Sequence, residues 1–307
     1  STTGGGYDLW ARVWARHLGK HIPGNPSILV QNMPGAASIV ATNYLSNVAK
    51  PDGLTLGALL PAIYFDQLVG RKEVKFDFAK IPWIGSPEQN DIVHYMRADS
   101  PYKSIDDIRK AKEPPRCGSS GTGTTGFYIP RLLDEVFGTK HTIVSGYQGG
   151  SEIDLAIERG EVHCWSPLVA TYFGREPYVS WHKKGFVRVL LQTNRKRDER
   201  LKDVPTIYEL MDQFKITDAG RRLTNVILTA ATLGRPIAAP PGIAADRLKL
   251  LREAYLNTLK DPELVAETKK QRWDIEPLTG EEMEKLAKGV MTQPQEVIDK
   301  MKWVLGN

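Results

Sequence analysis

The feature that most constrains this chain is where its glycines fall. Clusters of glycine, serine and threonine recur where an apolar run ends and a helical pattern begins, the join expected of an alternating α/β fold. Gly4-Gly5-Gly6 leads into a helix with Leu9, Trp10, Val13, Trp14 and Leu18 on one face. Pro23-Gly24-Asn25-Pro26 stops it, and residues 27–31 read as a short buried strand. Asn32-Met33-Pro34-Gly35 then turns into a second helix over 37–48, and after Pro51-Asp52-Gly53 residues 54–60 read as another strand. Such alternation predicts a parallel sheet covered by helices.

The layout then returns. Residues 92–96 read as a strand and 104–110 as a helix, and a further strand ends at Arg116-Cys117-Gly118. The loop Ser119-Ser120-Gly121-Thr122-Gly123-Thr124-Thr125-Gly126 opens a helix carrying Phe127, Leu132, Leu133 and Val136. Strands are predicted at 142–144, 162–165, 186–191 and 226–229, with a helix over 151–159. From residue 245 the chain is helical, with Leu248, Leu251, Ala254, Tyr255 and Leu259 as its apolar stripe. At 307 residues the chain exceeds the usual single domain. Two α/β lobes are therefore expected: residues 1–95 with 231–307, and residues 96–230. The crossings should lie near Met96-Arg97-Ala98 and Thr229-Ala230-Ala231.

Hydrophobic residues make up 41% and charged residues 25%, which excludes a disordered chain. No apolar run approaches the roughly 20 residues of a membrane-spanning helix. The 41 Lys+Arg against 36 Asp+Glu give a net +5, enough to favour small anions but too little to argue for nucleic acid. Two cysteines, Cys117 and Cys164, are too few for a disulfide scaffold or a zinc site, and buried free thiols are expected. The opening Ser1-Thr2-Thr3, without Met, suggests a mature product whose leader has been removed.

A loop joining a strand end to a helix start offers unpaired backbone N–H groups at the positive end of a helix dipole, which attracts carboxylate or phosphate. Ser119, Ser120, Thr122, Thr124 and Thr125 add hydroxyls that can wrap an anion without burying a lysine. One such loop is as readily a plain tight turn; three in one chain favour a binding cleft. Gly121 to Gly126 fits G-x-G-x-x-G, but a dinucleotide site wants an acid about 20 residues on. Val144-Ser145-Gly146 supplies none, so no cofactor is expected. His17 and His21 lack the intervening Glu of a metalloprotease and read as surface histidines, so no metal is expected. Arg195-Lys196-Arg197 runs straight into Asp198-Glu199, a solvated loop rather than a nucleic-acid patch. The rival reading is an enzyme acting on a phosphorylated or acyl substrate at the hydroxyl loop. It would need a base near Ser119 or Ser120, for which His163 is the candidate.

Several stretches together resemble the periplasmic solute-binding proteins of tripartite tricarboxylate transporters. They are Gly4-Gly5-Gly6-Tyr7-Asp8, Gln31-Asn32-Met33-Pro34-Gly35-Ala36, Pro51-Asp52-Gly53, Trp83-Ile84-Gly85, Ser119-Ser120-Gly121-Thr122-Gly123, Tyr147-Gln148-Gly149-Gly150, Val204-Pro205-Thr206 and Ala239-Pro240-Pro241-Gly242. Each is weak alone; the ordered set covers nearly the whole chain. The resemblance implies a type II periplasmic binding fold, with two α/β lobes, two crossing segments and a carboxylate gripped between the lobes. It assigns ligand contacts to Gly5, Gly6, Tyr7 and Asp8, to Ala36, Ala37 and Ser38, and to Ser119, Ser120, Thr122, Thr124 and Thr125. Tyr147 and Ser166 join them because they follow predicted strands. It further implies a monomeric receptor, not an enzyme, in a Gram-negative periplasm. That receptor would deliver a mono-, di- or tricarboxylate to membrane permease subunits, with no cofactor and no nucleic acid. The chain departs from the family's pattern in placing only three residues ahead of the glycine loop, in Ala36-Ala37-Ser38, and in the bulk of Tyr7.

Overall fold

The computed structural model describes residues 6–33, 35–121, 123–147, 149–271 and 273–306. In chain order the elements are α1 Gly6–Leu18, α2 Ile39–Asn47, β1 Gly57–Ala58, α3 Ile63–Leu68, β2 Trp83–Ser86, β3 Val93–Arg97, α4 Ile105–Lys110, β4 Arg116–Ser119 and α5 Thr125–Phe137. They continue with β5 Thr142–Ser145, α6 Gly150–Glu158, β6 Cys164–Trp165, α7 Val169–Gly174, α8 Tyr178–Lys184, β7 Val187–Gln192, α9 Ile207–Gln213 and α10 Asp218–Leu233. The remainder is β8 Ile237–Ala238, α11 Ala245–Thr258, α12 Pro262–Gln271, β9 Leu278–Thr279, α13 Gly280–Met291 and α14 Gln295–Leu305.

The chain forms two compact units. One comprises Ser1–Gln89 and Thr229–Gln293, the other Asn90–Leu228 and Pro294–Asn307. In the first unit the strand order is β1-β8-β2-β9, and every recorded pairing is antiparallel. Helix α1 buries Trp10, Val13, Trp14 and Leu18 in a core shared with Leu251, Ala254 and Tyr255 of α11. Leu9, expected on the same face, is exposed, because it precedes Trp10 by one residue and turns about 100° away from it. Asp8 in its first turn and Arg16 and His17 in its last suit the helix dipole.

The second unit has the order β5-β4-β6-β3-β7. β4 runs parallel to both β5 and β6, while β3 is antiparallel to β6 and β7. Tyr95, Tyr172, Tyr178 and Trp181 fill its core. Cys117 and Cys164, direct partners across β4 and β6, form a disulfide, so the expected free thiols are corrected. Strand pairing holds their Cα atoms 4.5 Å apart, inside bonding reach.

Other expectations also change. Residues 27–31 form no strand and pair with no described strand: Ile28 packs against the core while Leu29 is 81% exposed. Without that strand the first sheet finds its partners in distant segments and is antiparallel. Only Gly57–Ala58 of residues 54–60 forms a strand. Residues 226–229 lie inside helix α10, where Leu223, Val226, Ile227, Ala230 and Leu233 are buried at helical spacing. A short apolar run does not distinguish strand from buried helix. The chain enters the second unit ahead of Met96, because β3 pairs wholly within that unit's sheet. The terminal helix α14, expected in the first lobe, belongs to the second unit: Lys300 pairs with Glu135 of α5 at 2.8 Å, and Arg131 of α5 stacks on Trp303 at 4.1 Å. Among the described residues no helix is long and apolar enough to cross a membrane.

Candidate functional site

The predicted ligand residues form two groups, one in each unit. In the first unit, Gly6 begins α1, with Tyr7 and Asp8 in its opening turn. Gly5 lies outside the described residues. The Tyr7 hydroxyl donates to the Gly234 carbonyl at 3.1 Å, and the Arg235 guanidinium sits 4.5 Å from the ring centre. Burial pushes the phenol up to about 12, so it remains a donor at neutral pH. Asp8 is buried and accepts from Arg12 Nε at 3.0 Å and from Asn32 Nδ2 at 2.8 Å. Arg12 also donates to Asn32 Oδ1 at 3.1 Å. Asp8 thus ties the helix start to the segment leading into the next loop, and its carboxylate is occupied by that task.

That loop bends sharply. Gly35, Ala36 and Ser38 all have positive φ, at 134°, 42° and 81°. Non-glycine residues rarely adopt this region, and where they do, strain tends to gather at binding sites. Ser38 is buried, its hydroxyl accepts from the Leu60 N–H at 3.3 Å, and its carbonyl accepts from Thr42. Ala37 lies in the same 3-10 turn, which runs into α2 without a side-chain cap.

Sequence reasoning missed the cation here. Arg235 is largely buried and pairs with the buried Glu88 at 3.0 Å. Burial pushes the Glu88 carboxyl up against the pull of Arg235. Gly234 makes the approach possible, since a Cβ there would lie 1.6 Å from the Glu88 carbonyl oxygen. No local pattern marks these residues; two segments far apart in sequence create the pair.

In the second unit the predicted residues gather at the carboxyl ends of the parallel strands β5, β4 and β6, the usual ligand edge of an α/β sheet. Ser119 ends β4; its buried hydroxyl accepts from the Gly121 N–H at 3.1 Å and lies 3.3 Å from Thr124 Oγ1. Thr124 Oγ1 donates to the Gly121 carbonyl at 2.7 Å, and Thr125 donates to the Ser166 carbonyl. The buried Ser166 hydroxyl meets His94 Nδ1 at 2.9 Å. Four of the predicted hydroxyls therefore hold the loop in shape. Ser120 is exposed, Tyr147 is half-buried against the unit's core, and Thr122 lies outside the described residues.

Helices α5 and α6 start at this edge with no side-chain cap, whereas α4, α9 and α13 are capped by Ser104, Thr206 and Thr279. The uncapped ends leave first-turn N–H groups for an anion. Trp165, also missed from sequence, is wedged between the two helix starts. A Cβ on Gly126 would lie 2.6 Å from its Nε1, and one on Gly150 would lie 2.8 Å from its Cη2. His163 cannot serve Ser119 as a base, because its Nδ1 accepts from the Arg116 N–H at 3.0 Å, at the opposite end of β4.

Two compact units, each built from two stretches of the chain and each with helix starts that lack a side-chain cap, are features of a solute-binding protein. Residues 11–302 match the tripartite tricarboxylate transporter family receptor, and the chain belongs to that family. An Agrobacterium vitis protein encoded in the TAR-I ttuE–ttuC′ intergenic region is 26% identical over 290 residues, covering 86% of this chain and 71% of that one. Among solved structures, a TctC solute-binding protein from Polaromonas is 19% identical with a TM-score of 0.75, covering 99% of this chain and 94% of that one. A Rhodopseudomonas palustris protein solved with adipate scores 0.65 at 19% identity, with coverage of 99% and 94%. MatC of the same organism, solved with bound malate, scores 0.63 at 17% identity, with coverage of 99% and 96%.

Proposed function

We propose that this chain is a periplasmic receptor that captures a small organic carboxylate through its glycine- and hydroxyl-rich loops and delivers it as a monomer to membrane permease subunits. The observation that carries the reading is the pair of uncapped helix starts, α5 and α6, on adjacent parallel strands, with Ser119, Thr124, Thr125 and Ser166 locked around them. Locked loops present their amides in one geometry, so little entropy is lost when the ligand arrives. The solved relatives with malate and adipate point to aliphatic acids. Thermal-shift screening against mono-, di- and tricarboxylates tests the proposal. A true ligand at 100 times its dissociation constant stabilises by about 2.7 kcal/mol. Stabilisation by nucleotides and by no organic acid would overturn it.

A further inference from the structure

The second unit gathers three side chains for which carboxylate capture has no use. His94 on β3, Cys117 on β4 and His141, just ahead of β5, bring a ring nitrogen, a sulfur and a ring nitrogen within 4.8 Å of one another. The two imidazoles meet edge to face, their centres 5.5 Å apart. Both side chains are fully buried, and each leaves its Nε2 without a hydrogen-bond partner. Buried polar atoms are nearly always satisfied, so two orphan nitrogens on rings grouped with one sulfur invite a common partner.

The surroundings prepare these nitrogens to donate lone pairs. His141 Nδ1 lies 2.6 Å from Asp134 Oδ1, and the same carboxylate accepts from the Thr139 hydroxyl at 2.7 Å and the His141 N–H at 3.1 Å. A carboxylate only accepts, so Nδ1 carries the proton and Nε2 presents its lone pair. A carboxylate behind a histidine is the arrangement that orients metal ligands. The Ser166 hydroxyl, 2.9 Å from His94 Nδ1, holds that ring in place and, where it accepts from Nδ1, leaves the Nε2 lone pair available.

The sulfur is bonded to Cys164, and a disulfide sulfur is a poor ligand. We propose that the Cys117–Cys164 bond is the lock on a buried zinc site made by His94, Cys117 and His141. A dithiol opens it: the S–S bond takes up two electrons and two protons, giving two thiols, and the dithiol leaves as its own disulfide. On binding, the Cys117 thiol releases its proton to solvent, and one thiolate with two imidazoles forms a ligand set that suits Zn²⁺. Tetrahedral zinc, with Zn–N about 2.0–2.1 Å and Zn–S about 2.3 Å, sets donors roughly 3.3–3.6 Å apart. The trio must therefore close by at most about 1.5 Å, leaving a fourth, exchangeable position. The cysteine count argued against such a site; the fold supplies the histidines from other strands.

The test uses the full chain in three forms: oxidised wild type, wild type reduced with a phosphine and kept anaerobic, and Cys164→Ser, which cannot form the bond. Each is incubated with Zn²⁺, desalted and assayed for metal; parallel samples receive Co²⁺ as a spectroscopic probe. The reduced and Cys164→Ser forms should retain about one more zinc per chain than the oxidised form and show a thiolate-to-cobalt charge-transfer band. Reduced Cys117→Ser and His141→Asn should lose both signals. The second group, His17, Asp261 and Glu263, is common to all samples, so only the difference is read. If Cys164→Ser does not fold, the reduced wild type against reduced Cys117→Ser decides alone. Equal zinc in the oxidised and reduced wild type, or full retention by Cys117→Ser or His141→Asn, would overturn the proposal.

Discussion

The Asp8 carboxylate, expected among the ligand contacts, serves the architecture of its own segment. Its side chain is 1% exposed and bridges Arg12 and Asn32. Asp8→Asn keeps the shape and removes the charge, at a cost of about 1–2 kcal/mol, since charge-assisted bonds contribute about 1.5–3 kcal/mol and the exposed Arg12 is screened. Urea denaturation reads the loss directly. The sequence displayed Asp8 in a recognisable motif but could not show what it touches, because Asn32 arrives from another segment. Acid stability is set by a different cluster, where α1 meets α12. Burial pushes the Glu267 carboxyl up, but His17 and Arg16 pull it below its ordinary value. Burial also raises Asp261, and the Glu263 N–H, His21 and Lys20 outweigh that effect. A carboxyl lowered in the folded state contributes stability above its unfolded pKa of about 4, and that contribution is lost as pH falls through the range. The urea midpoint should therefore drop between about pH 5 and pH 3, and Asp261→Asn should flatten that limb. His17, read from sequence as a surface histidine, is in fact buried here because α12 folds over it.

Among the elements, the starts of α5 and α6 carry the proposed binding. At Gly126 a side chain would meet both Trp165 and the Gly118 carbonyl oxygen, the latter at 2.6 Å, whereas a Cβ on Gly123 would have nothing within 4 Å. Gly126→Ala should therefore lift α5 off β4, cost about 1–3 kcal/mol as overpacking does, and weaken ligand binding. Gly123→Ala should leave stability nearly unchanged. Paired denaturation curves and ligand-induced thermal shifts check both variants. Helices with their own signals were legible: Ser104 caps α4, and Thr279 with Glu282 forms a capping box on α13. Residues 226–229 misled because three apolar residues and a threonine carry no period, and their helix is defined by burial over its full length. The exposed Leu29 shows the converse: a strand-like composition forms no strand without a partner to pair with.

For the whole molecule, the final helix was the least legible feature. Deleting residues 294–307 removes Val297, Met301 and Val304 from the second unit's core, side chains whose full burial is each worth about 1.5–3 kcal/mol. It also removes the Lys300–Glu135 pair. The truncated chain should unfold with a separate, lower-temperature transition for the second unit, visible by calorimetry; one unshifted transition would refute this assignment. The sequence alone settled the α/β class, the strand-to-helix position of the hydroxyl loop, the buried Trp10, Val13, Trp14 and Leu18 of α1 and the family, because each rests on local periodicity or on an ordered set of short motifs. Only the tertiary structure decided which unit holds α14, that Arg235 and Glu88 stand behind Tyr7, and that Cys117 bonds to Cys164 beside His94 and His141. Those outcomes depend on contacts between residues far apart in the chain, and local pattern carries no record of which distant segments will meet.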